Sequence, residues 1–200
     1  YVDYSGTLWA NVMGREDVPP RAAMLAELTT WMAREKDVTV LGSLGFENAY
    51  ALAMRRADAE RLGIATLEDL AAKGQSLRLG SDLEFLTRPE YAALKAAYGL
   101  RFASERSFNP TFMYRAIESG EADVISAFSS DGRIAALDLV VLTDPKGAIP
   151  AYDAVILLAP GRSDDTVLRG ALAPLVGAVP VEAMRAASLS VDRDTDKVSP

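Results

Sequence analysis

The sequence of 200 residues contains neither cysteine nor histidine. Without cysteine there are no disulfides, no thiolate metal ligands and no cysteine nucleophile. Without histidine there is no imidazole ligand and no usual general base near neutral pH. Most enzyme chemistries therefore lack their central residue, and we predict no metal site. A hydrolase that uses a lysine base stays open as an alternative, although no feature of the sequence singles out such a lysine.

Three further absences narrow the function. The sequence has no Gly-x-x-x-x-Gly-Lys loop, no Gly-x-Gly-x-x-Gly fingerprint and no Gly-x-Ser-x-Gly elbow, so nucleotide binding and serine hydrolysis have no local support and no cofactor is predicted. Positive charge is scarce, since 21 Lys and Arg face 28 Asp and Glu for a net charge of −7. This balance disfavours nucleic acid and anionic membrane surfaces as partners. The most apolar run, 137–142, is interrupted by Asp138 and is too short to cross a bilayer.

The sequence does contain enough apolar residues to form a buried core, because half of its residues are hydrophobic. Prolines and glycines mark the ends of amphipathic segments, and Thr66 with Asp69 forms a capping box. Between these segments lie short, continuously apolar runs. The pattern predicts an α/β fold with a parallel sheet. Three main helices are predicted: one begins after Pro20 and ends near Lys36, one begins at Pro89 and ends at Gly99, and one begins at Pro110 and ends at Gly120. The predicted strands cover 38–41, 49–54, 77–79, 124–128 and 137–142.

Four aromatic residues lie at strand ends or turns beside small or polar residues, a placement that suits a binding cleft. They are Tyr4, Tyr50, Phe128 and Tyr152. Any one of these rings taken alone is more often a core residue, because aromatic side chains dominate protein cores. Spacing alone leaves core packing and a cleft both open.

Five segments, taken in order, resemble the substrate-binding proteins of ABC transporters for glycine betaine, choline and related osmoprotectants. No single segment is diagnostic, but their order and intervals are similar and they cover nearly the whole chain. The segments are Tyr4-Ser5-Gly6-Thr7, Gly45-Phe46-Glu47-Asn48-Ala49-Tyr50-Ala51-Leu52-Ala53, Glu84-Phe85 with Arg88, Ala127-Phe128-Ser129-Ser130-Asp131-Gly132-Arg133-Ile134, and Pro150-Ala151-Tyr152-Asp153.

This resemblance implies a two-lobed periplasmic-binding-protein (Venus flytrap) fold. The first lobe would be discontinuous, 1–50 and 151–200, and the second would be 51–150. The matching positions would place Tyr4, Tyr50, Phe128 and Tyr152 in an aromatic cage for a quaternary ammonium group. Arg88 and Thr7 would hold the carboxylate of the ligand, and Asn48 would be a further ligand-binding residue.

The sequence departs from the family pattern in three ways. Phe128 stands where the family usually has tyrosine, which keeps a ring face and loses a hydroxyl. Asn48 is a neutral amide where some relatives carry an acid, so a ligand that is only a cation meets less negative charge. Relatives also have a first-lobe segment before Tyr4 and a closing helix after Ser199-Pro200, so we expect an incomplete first lobe that exposes apolar surface and forms oligomers.

The resemblance therefore implies a solute receptor outside the cytoplasm, periplasmic or membrane-anchored, that binds a quaternary ammonium osmoprotectant for ABC import. Its partners would be that small molecule and an ABC permease in the membrane. The alternative is the effector-sensing domain of a transcription regulator, which can share the same fold.

Overall fold

A computed structural model of the chain describes residues 1–192, so Ser199 and Pro200 lie outside the described residues. The chain divides into two compact units. The first unit comprises Tyr1–Ala49 and Pro150–Met184, and the second comprises Tyr50–Ile149 with residues 185–192. The assignment of 1–50, 51–150 and 151–200 to the lobes of a transport receptor stays a prediction.

Strands and helices alternate along much of the chain, as predicted for an α/β fold. Among residues 1–192 the strands are β1 (Val2–Tyr4), β2 (Thr39–Glu47), β3 (Tyr50–Arg55), β4 (Arg78–Ser81), β5 (Ser104–Ser107), β6 (Val124–Phe128), β7 (Leu139–Val141) and β8 (Asp153–Leu158). The helices are α1 (Ser5–Thr7), α2 (Arg21–Lys36), α3 (Arg56–Leu62), α4 (Leu67–Lys73), α5 (Pro89–Tyr98), α6 (Pro110–Ser119), α7 (Arg133–Ala136), α8 (Thr166–Leu172) and α9 (Val181–Asp192).

The first unit is built on an antiparallel sheet in the order β1-β8-β2. Every residue of β8 is buried, as a central strand covered on both faces should be. Helix α2 packs Leu28 and Met32 against Val155 and Leu157 of this strand. The register of β8 places Tyr4 opposite Ala154 and Glu47 opposite Asp153, so the ends of three segments meet beside residue 152.

The second unit contains a sheet in the order β5-β4-β6-β3-β7. Strand β4 runs parallel to β5 and β6, whereas β3 runs antiparallel to β6 and β7. The sheet is therefore mixed, and the predicted parallel sheet is wrong in this respect. Continuous apolar strands such as β3 report burial on both faces and carry no information about strand direction.

Alternate residues of β3 separate two cores in the second unit. Leu52 and Met54 belong to a cluster that also contains Phe85 and Leu94, while Ala53 belongs to a cluster with Ile117. This is the two-residue period of a strand with helices packed on both of its faces.

The predicted ends of the three main helices are confirmed, because the end signals are local, whereas the strand predicted over 38–41 extends to Glu47 as β2. Helix α2 ends at Lys36, α5 begins at Pro89 and ends before Gly99, and α6 begins at Pro110 and ends before Gly120. The prediction of a strand over 137–142 is too long, since only Leu139–Val141 pair. Asp138, with a φ of 47°, takes the left-handed conformation before β7 begins.

Helix α8 in the first unit buries none of its residues, and Val167 on it is 81% exposed. Leu175 and Val176, in the turn after it, are exposed as well. Within residues 1–192, no helix combines the length and the apolar character that crossing a membrane requires. Oligomerisation through exposed apolar surface stays a prediction.

We expect Thr66→Ala to destabilise the second unit by about 1 kcal/mol. The Thr66 hydroxyl accepts from the Asp69 backbone N–H at 3.0 Å, while the Asp69 carboxylate accepts from the Thr66 backbone N–H at 3.0 Å. Urea unfolding followed by circular dichroism measures the loss. Thr66→Ser keeps the hydroxyl and serves as the control; equal destabilisation by both variants would contradict a role for the cap.

Candidate functional site

Tyr50 and Phe128 are neighbours in the second unit. Tyr50 begins β3, Phe128 ends β6, and the antiparallel register pairs the two residues directly. Their ring centroids lie 4.6 Å apart with the rings inclined by 35°. Tyr50 is buried, whereas Phe128 is 41% exposed. The pair therefore presents one open ring that is supported from behind by a second.

Two further aromatic rings extend this pair into the core. Phe85 lies 5.1 Å from Tyr50, and Tyr91 lies 5.0 Å from Phe85, measured between ring centroids. Both side chains are fully buried. Phe85 was not among the predicted site residues, although it follows Glu84 in one of the segments that carry the family resemblance. Its place behind Tyr50 makes it a support for the pair.

Arg88 lies against the same ring. It is the last residue before α5, and its guanidinium carbon is 5.1 Å from the Tyr50 ring centroid. Glu90 accepts two hydrogen bonds from it, and the exposed Glu84 accepts a third from Nη1 at 3.4 Å. The structure thus brings together three of the predicted site residues, Tyr50, Arg88 and Phe128.

The loop after Phe128 is held by charged groups that the sequence analysis did not assign. Arg133 donates to both carboxylate oxygens of Asp131 and lies 4.0 Å from the centroid of the Tyr114 ring. Burial acts to raise the pKa of Asp131, but hydrogen bonds from Arg133 outweigh it and leave that pKa below its usual value. Asp131 is therefore ionised and fixed, which anchors the segment that carries Phe128.

Glycine at position 132 permits a close contact between this loop and α9. A Cβ atom there would come within 2.5 Å of the Leu189 backbone nitrogen and 2.7 Å of the Arg185 carbonyl oxygen. Arg185 also donates from Nε to the Ser129 carbonyl oxygen at 2.8 Å. Backbone packing at Gly132 thus adds a second anchor beside Phe128.

The other predicted residues, Tyr4, Thr7, Asn48 and Tyr152, belong to the first unit. The Tyr152 ring packs on Gly6, where a Cβ atom would lie 2.8 Å from Cε1 of that ring. The Asn48 backbone N–H donates to the Tyr152 carbonyl oxygen at 3.0 Å. Tyr4 and Thr7 flank the Ser5-Gly6 turn on either side. All four residues are half-buried.

A buried carboxylate fixes the segment around Tyr152. Asp153 is 1% exposed and accepts from both Nε and Nη2 of Arg21, the first residue of α2, with the Nε to Oδ2 distance at 2.9 Å. Ser5 supports the same segment, because its hydroxyl donates to the Ala151 carbonyl oxygen and accepts from the Asp153 N–H. Such charge-assisted bonds hold a turn in one conformation.

The Tyr50 hydroxyl is neutral over the physiological range. Burial is the main reason that its pKa rises to about 12, and the negative charge of Asp82 adds to the effect. Within residues 1–192, no group of three or more acidic side chains is arranged to hold a metal ion. The chemistry available to the second-unit set is therefore ring faces and one fixed guanidinium.

Comparison with solved structures defines the class of protein. A structure described as a glycine betaine/carnitine/choline ABC transporter matches with a TM-score of 0.88 and 27% identity, over 96% of this chain and 71% of that chain. Two α/β units with this similarity define the periplasmic-binding-protein fold, as predicted. Residues 1–199 also match the family described as the substrate binding domain of ABC-type glycine betaine transport systems, and the chain belongs to that family.

Curated relatives are consistent with this assignment. The ergothioneine transport permease/ergothioneine binding protein of Helicobacter pylori is 33% identical over 79% of this chain and 28% of that protein. The carnitine transport binding protein of Listeria monocytogenes is 28% identical over 77% of this chain. This chain spans 51% of the length of the Listeria protein.

The family assignment also decides between the function classes. The family consists of substrate-binding domains of transport systems, so the prediction that the chain is not an enzyme is confirmed. The regulator alternative receives no support from these matches. The roles of the individual site residues stay predictions.

We expect Tyr50→Phe to reduce the decrease in the free energy of unfolding that occurs at high pH. The pKa of Tyr50 in the folded chain, about 12, exceeds the pKa of tyrosine in the unfolded chain. The contribution of this side chain to folding stability is therefore fully present at pH values below the unfolded pKa, and it is lost as the pH rises through 12. Urea unfolding at several pH values between neutral and strongly alkaline measures the slope. Tyr1→Phe, at an exposed side chain, is the control; an unchanged slope in Tyr50→Phe would contradict the prediction.

Proposed function

We propose that this chain binds a small zwitterion with a quaternary ammonium group and a carboxylate, such as glycine betaine, for import by an ABC transporter. The observation that carries the proposal is the contact of one ring, Tyr50, with both the exposed Phe128 and the Arg88 guanidinium. These three neighbouring side chains thus offer a ring face for a cation and a guanidinium for a carboxylate.

The aromatic face suits a trimethylammonium group, which has no N–H to donate and cannot form an ordinary hydrogen bond. Ring faces attract such a cation through their quadrupole, each by about 0.5 to 2 kcal/mol depending on desolvation. Phe128 retains this attraction without a hydroxyl. Tyr50 contributes as a neutral ring, because its raised pKa keeps the phenol protonated.

The carboxylate of the ligand is the proposed partner of Arg88, because a guanidinium offers two parallel N–H donors to it. Thr7 in the first unit adds a hydroxyl donor, and Asn48 adds an amide. We propose that Tyr4 and Tyr152 supply further ring faces for the quaternary ammonium group. The packing of Tyr152 on Gly6 and of Phe128 on Tyr50 supports this, because each ring is held in a fixed position.

The solutes named for the relatives support the same ligand class. Ergothioneine, carnitine and glycine betaine each carry a trimethylammonium group and a carboxylate. The first two are named for the curated relatives described above, and glycine betaine is named for the solved structure. Choline, named with two of them in the solved structure, carries the ammonium group alone. The shared chemistry favours a zwitterion.

The proposed partner is an ABC permease in the membrane, and the proposed location is outside the cytoplasm, either periplasmic or membrane-anchored. The family assignment supports both, because a substrate-binding domain of such a transport system delivers its solute to a permease. The exposed apolar residues of α8 support the proposal that the isolated chain forms oligomers.

We expect glycine betaine to raise the unfolding temperature of the purified chain, with carnitine and ergothioneine as further candidates and choline weaker. A ligand present at about 100 times its Kd adds about 2.7 kcal/mol of stability, enough to be visible in a thermal-shift panel. Leucine and glutamate serve as unrelated solutes. If none of the four quaternary ammonium compounds shifts the transition, the proposed function is wrong.

We expect Arg88→Ala to weaken glycine betaine about ten-fold to a hundred-fold while leaving choline little changed. Charge-assisted hydrogen bonds to the carboxylate contribute about 1.5 to 3 kcal/mol, and choline has no carboxylate to lose them. Calorimetric titration of both ligands provides the comparison. Arg106→Ala, at an exposed arginine of the same unit, is the matched control, and equal weakening of both ligands by Arg88→Ala would contradict the role of Arg88.

A further inference from the structure

Glu90 is a buried carboxylate to which neither the family resemblance nor the aromatic pattern assigns a role. Its side chain is 4% exposed, although it lies in the first turn of α5. Its Oε2 accepts from Arg88 Nε at 3.1 Å, and its Oε1 accepts from Arg88 Nη2 at 3.0 Å. The two groups are therefore joined by a pair of parallel hydrogen bonds, the strongest geometry available to them.

The edge of the guanidinium that Glu90 contacts determines which edge a ligand can use. A guanidinium carries five N–H donors in one plane, and Nε has a single one. Because Glu90 takes the edge formed by Nε and Nη2, a second carboxylate can bind with two parallel bonds only at the edge formed by Nη1 and Nη2. There it would replace the exposed Glu84, which accepts from Nη1 at 3.4 Å. Glu90 thus fixes the direction in which Arg88 faces a carboxylate.

Tyr50 contacts the same guanidinium with its ring face. The guanidinium carbon of Arg88 lies over this ring, 5.1 Å from the centroid, so the Glu90 carboxylate and the Tyr50 ring both restrain the group. Tyr50 is itself paired with Phe128. The orientation of Arg88 relative to the exposed Phe128 ring is therefore fixed through Tyr50. A long arginine side chain loses rotational freedom in such an arrangement before any ligand arrives, which lowers the entropic cost of binding.

We propose that Glu90 is a positioning residue, which holds Arg88 so that its Nη1 and Nη2 edge receives the carboxylate of the ligand. Glu90 itself does not touch the ligand. The inference rests on the proposed function, since it concerns how a carboxylate-bearing solute is distinguished from one without. Its negative charge also balances Arg88, so that the guanidinium does not repel the ammonium group of the same ligand.

A purely structural role makes a different prediction. An acidic residue in the first turn of a helix stabilises that helix through the backbone dipole, whatever Arg88 does. In that case Glu90→Gln would lower the stability of the chain and weaken every ligand alike. Positioning instead predicts a selective loss for ligands that carry a carboxylate.

The test measures the ratio of glycine betaine affinity to choline affinity in the parent and in Glu90→Gln. The amide cannot accept two charge-assisted bonds from Arg88, so we expect the ratio to fall about ten-fold, toward the value for Arg88→Ala. In the variant that combines both substitutions, the ratio should fall no further than in Arg88→Ala alone. An unchanged ratio in Glu90→Gln, or additive losses in the double variant, would overturn the role of Glu90.

Glu84→Gln is the matched control, because it makes the same charge change beside the same guanidinium. The Glu84 side chain is 73% exposed and accepts from Nη1 at 3.4 Å. We expect the affinity ratio to stay within about three-fold of the parent, because an exposed pair contributes little. A loss as large as that of Glu90→Gln would mean that net charge, not a fixed orientation, controls selectivity.

Three further measurements separate a positioning role of Glu90 from loss of folding. Thermal unfolding without ligand shows whether Glu90→Gln folds; Glu90→Asp, which keeps the charge and shortens the side chain, should also lower the ratio, and a parental ratio there would overturn the inference. The Arg88 Nε–H signal in NMR should be protected from exchange in the parent and lose that protection in Glu90→Gln. Failure of the parent to bind any of the four quaternary ammonium compounds overturns the proposed function, whereas binding with an unchanged ratio in Glu90→Gln overturns only the role of Glu90.

Discussion

The antiparallel pairing of β3 with β6 is the constraint on which the second unit depends. It joins the strand that enters this unit to a central strand, and it pairs Tyr50 with Phe128 where one strand begins and the other ends. Both strands are buried for most of their length, so a register shift would turn core side chains to the wrong face. The register that buries the core side chains therefore also fixes the position of the exposed Phe128 ring.

Carboxylate–guanidinium pairs recur beside the candidate residues. Arg88 binds Glu90 next to Tyr50, Arg133 binds Asp131 in the loop after Phe128, and Arg21 binds Asp153 next to Tyr152. In each pair the carboxylate is largely buried while the guanidinium is partly exposed. Removing one partner would leave a buried charge uncompensated, so these pairs favour a single local conformation over net stability.

A binding protein that lacks histidine and cysteine has few groups that change charge between pH 5 and 8. The buried tyrosines do not alter this, because burial raises the pKa values of Tyr50, Tyr91 and Tyr114. The proposed recognition uses a permanent cation, ring faces and a guanidinium that stays protonated. None of these groups gains or loses a proton in that range.

The sequence by itself determined the α/β class, the ends of α2, α5 and α6, and the Thr66 capping box, because proline, glycine and capping side chains act within a few residues of the backbone they control. The placement of four aromatic residues at strand ends indicated a possible cleft, and the family resemblance added Thr7, Asn48 and Arg88 as candidates. Only the tertiary structure decided that the second sheet is mixed, that Tyr50 lies opposite Phe128, and that Glu90 holds Arg88. Strand direction and register are set by contacts between distant segments and by which charges become buried together, and neither leaves a periodic signal in the sequence.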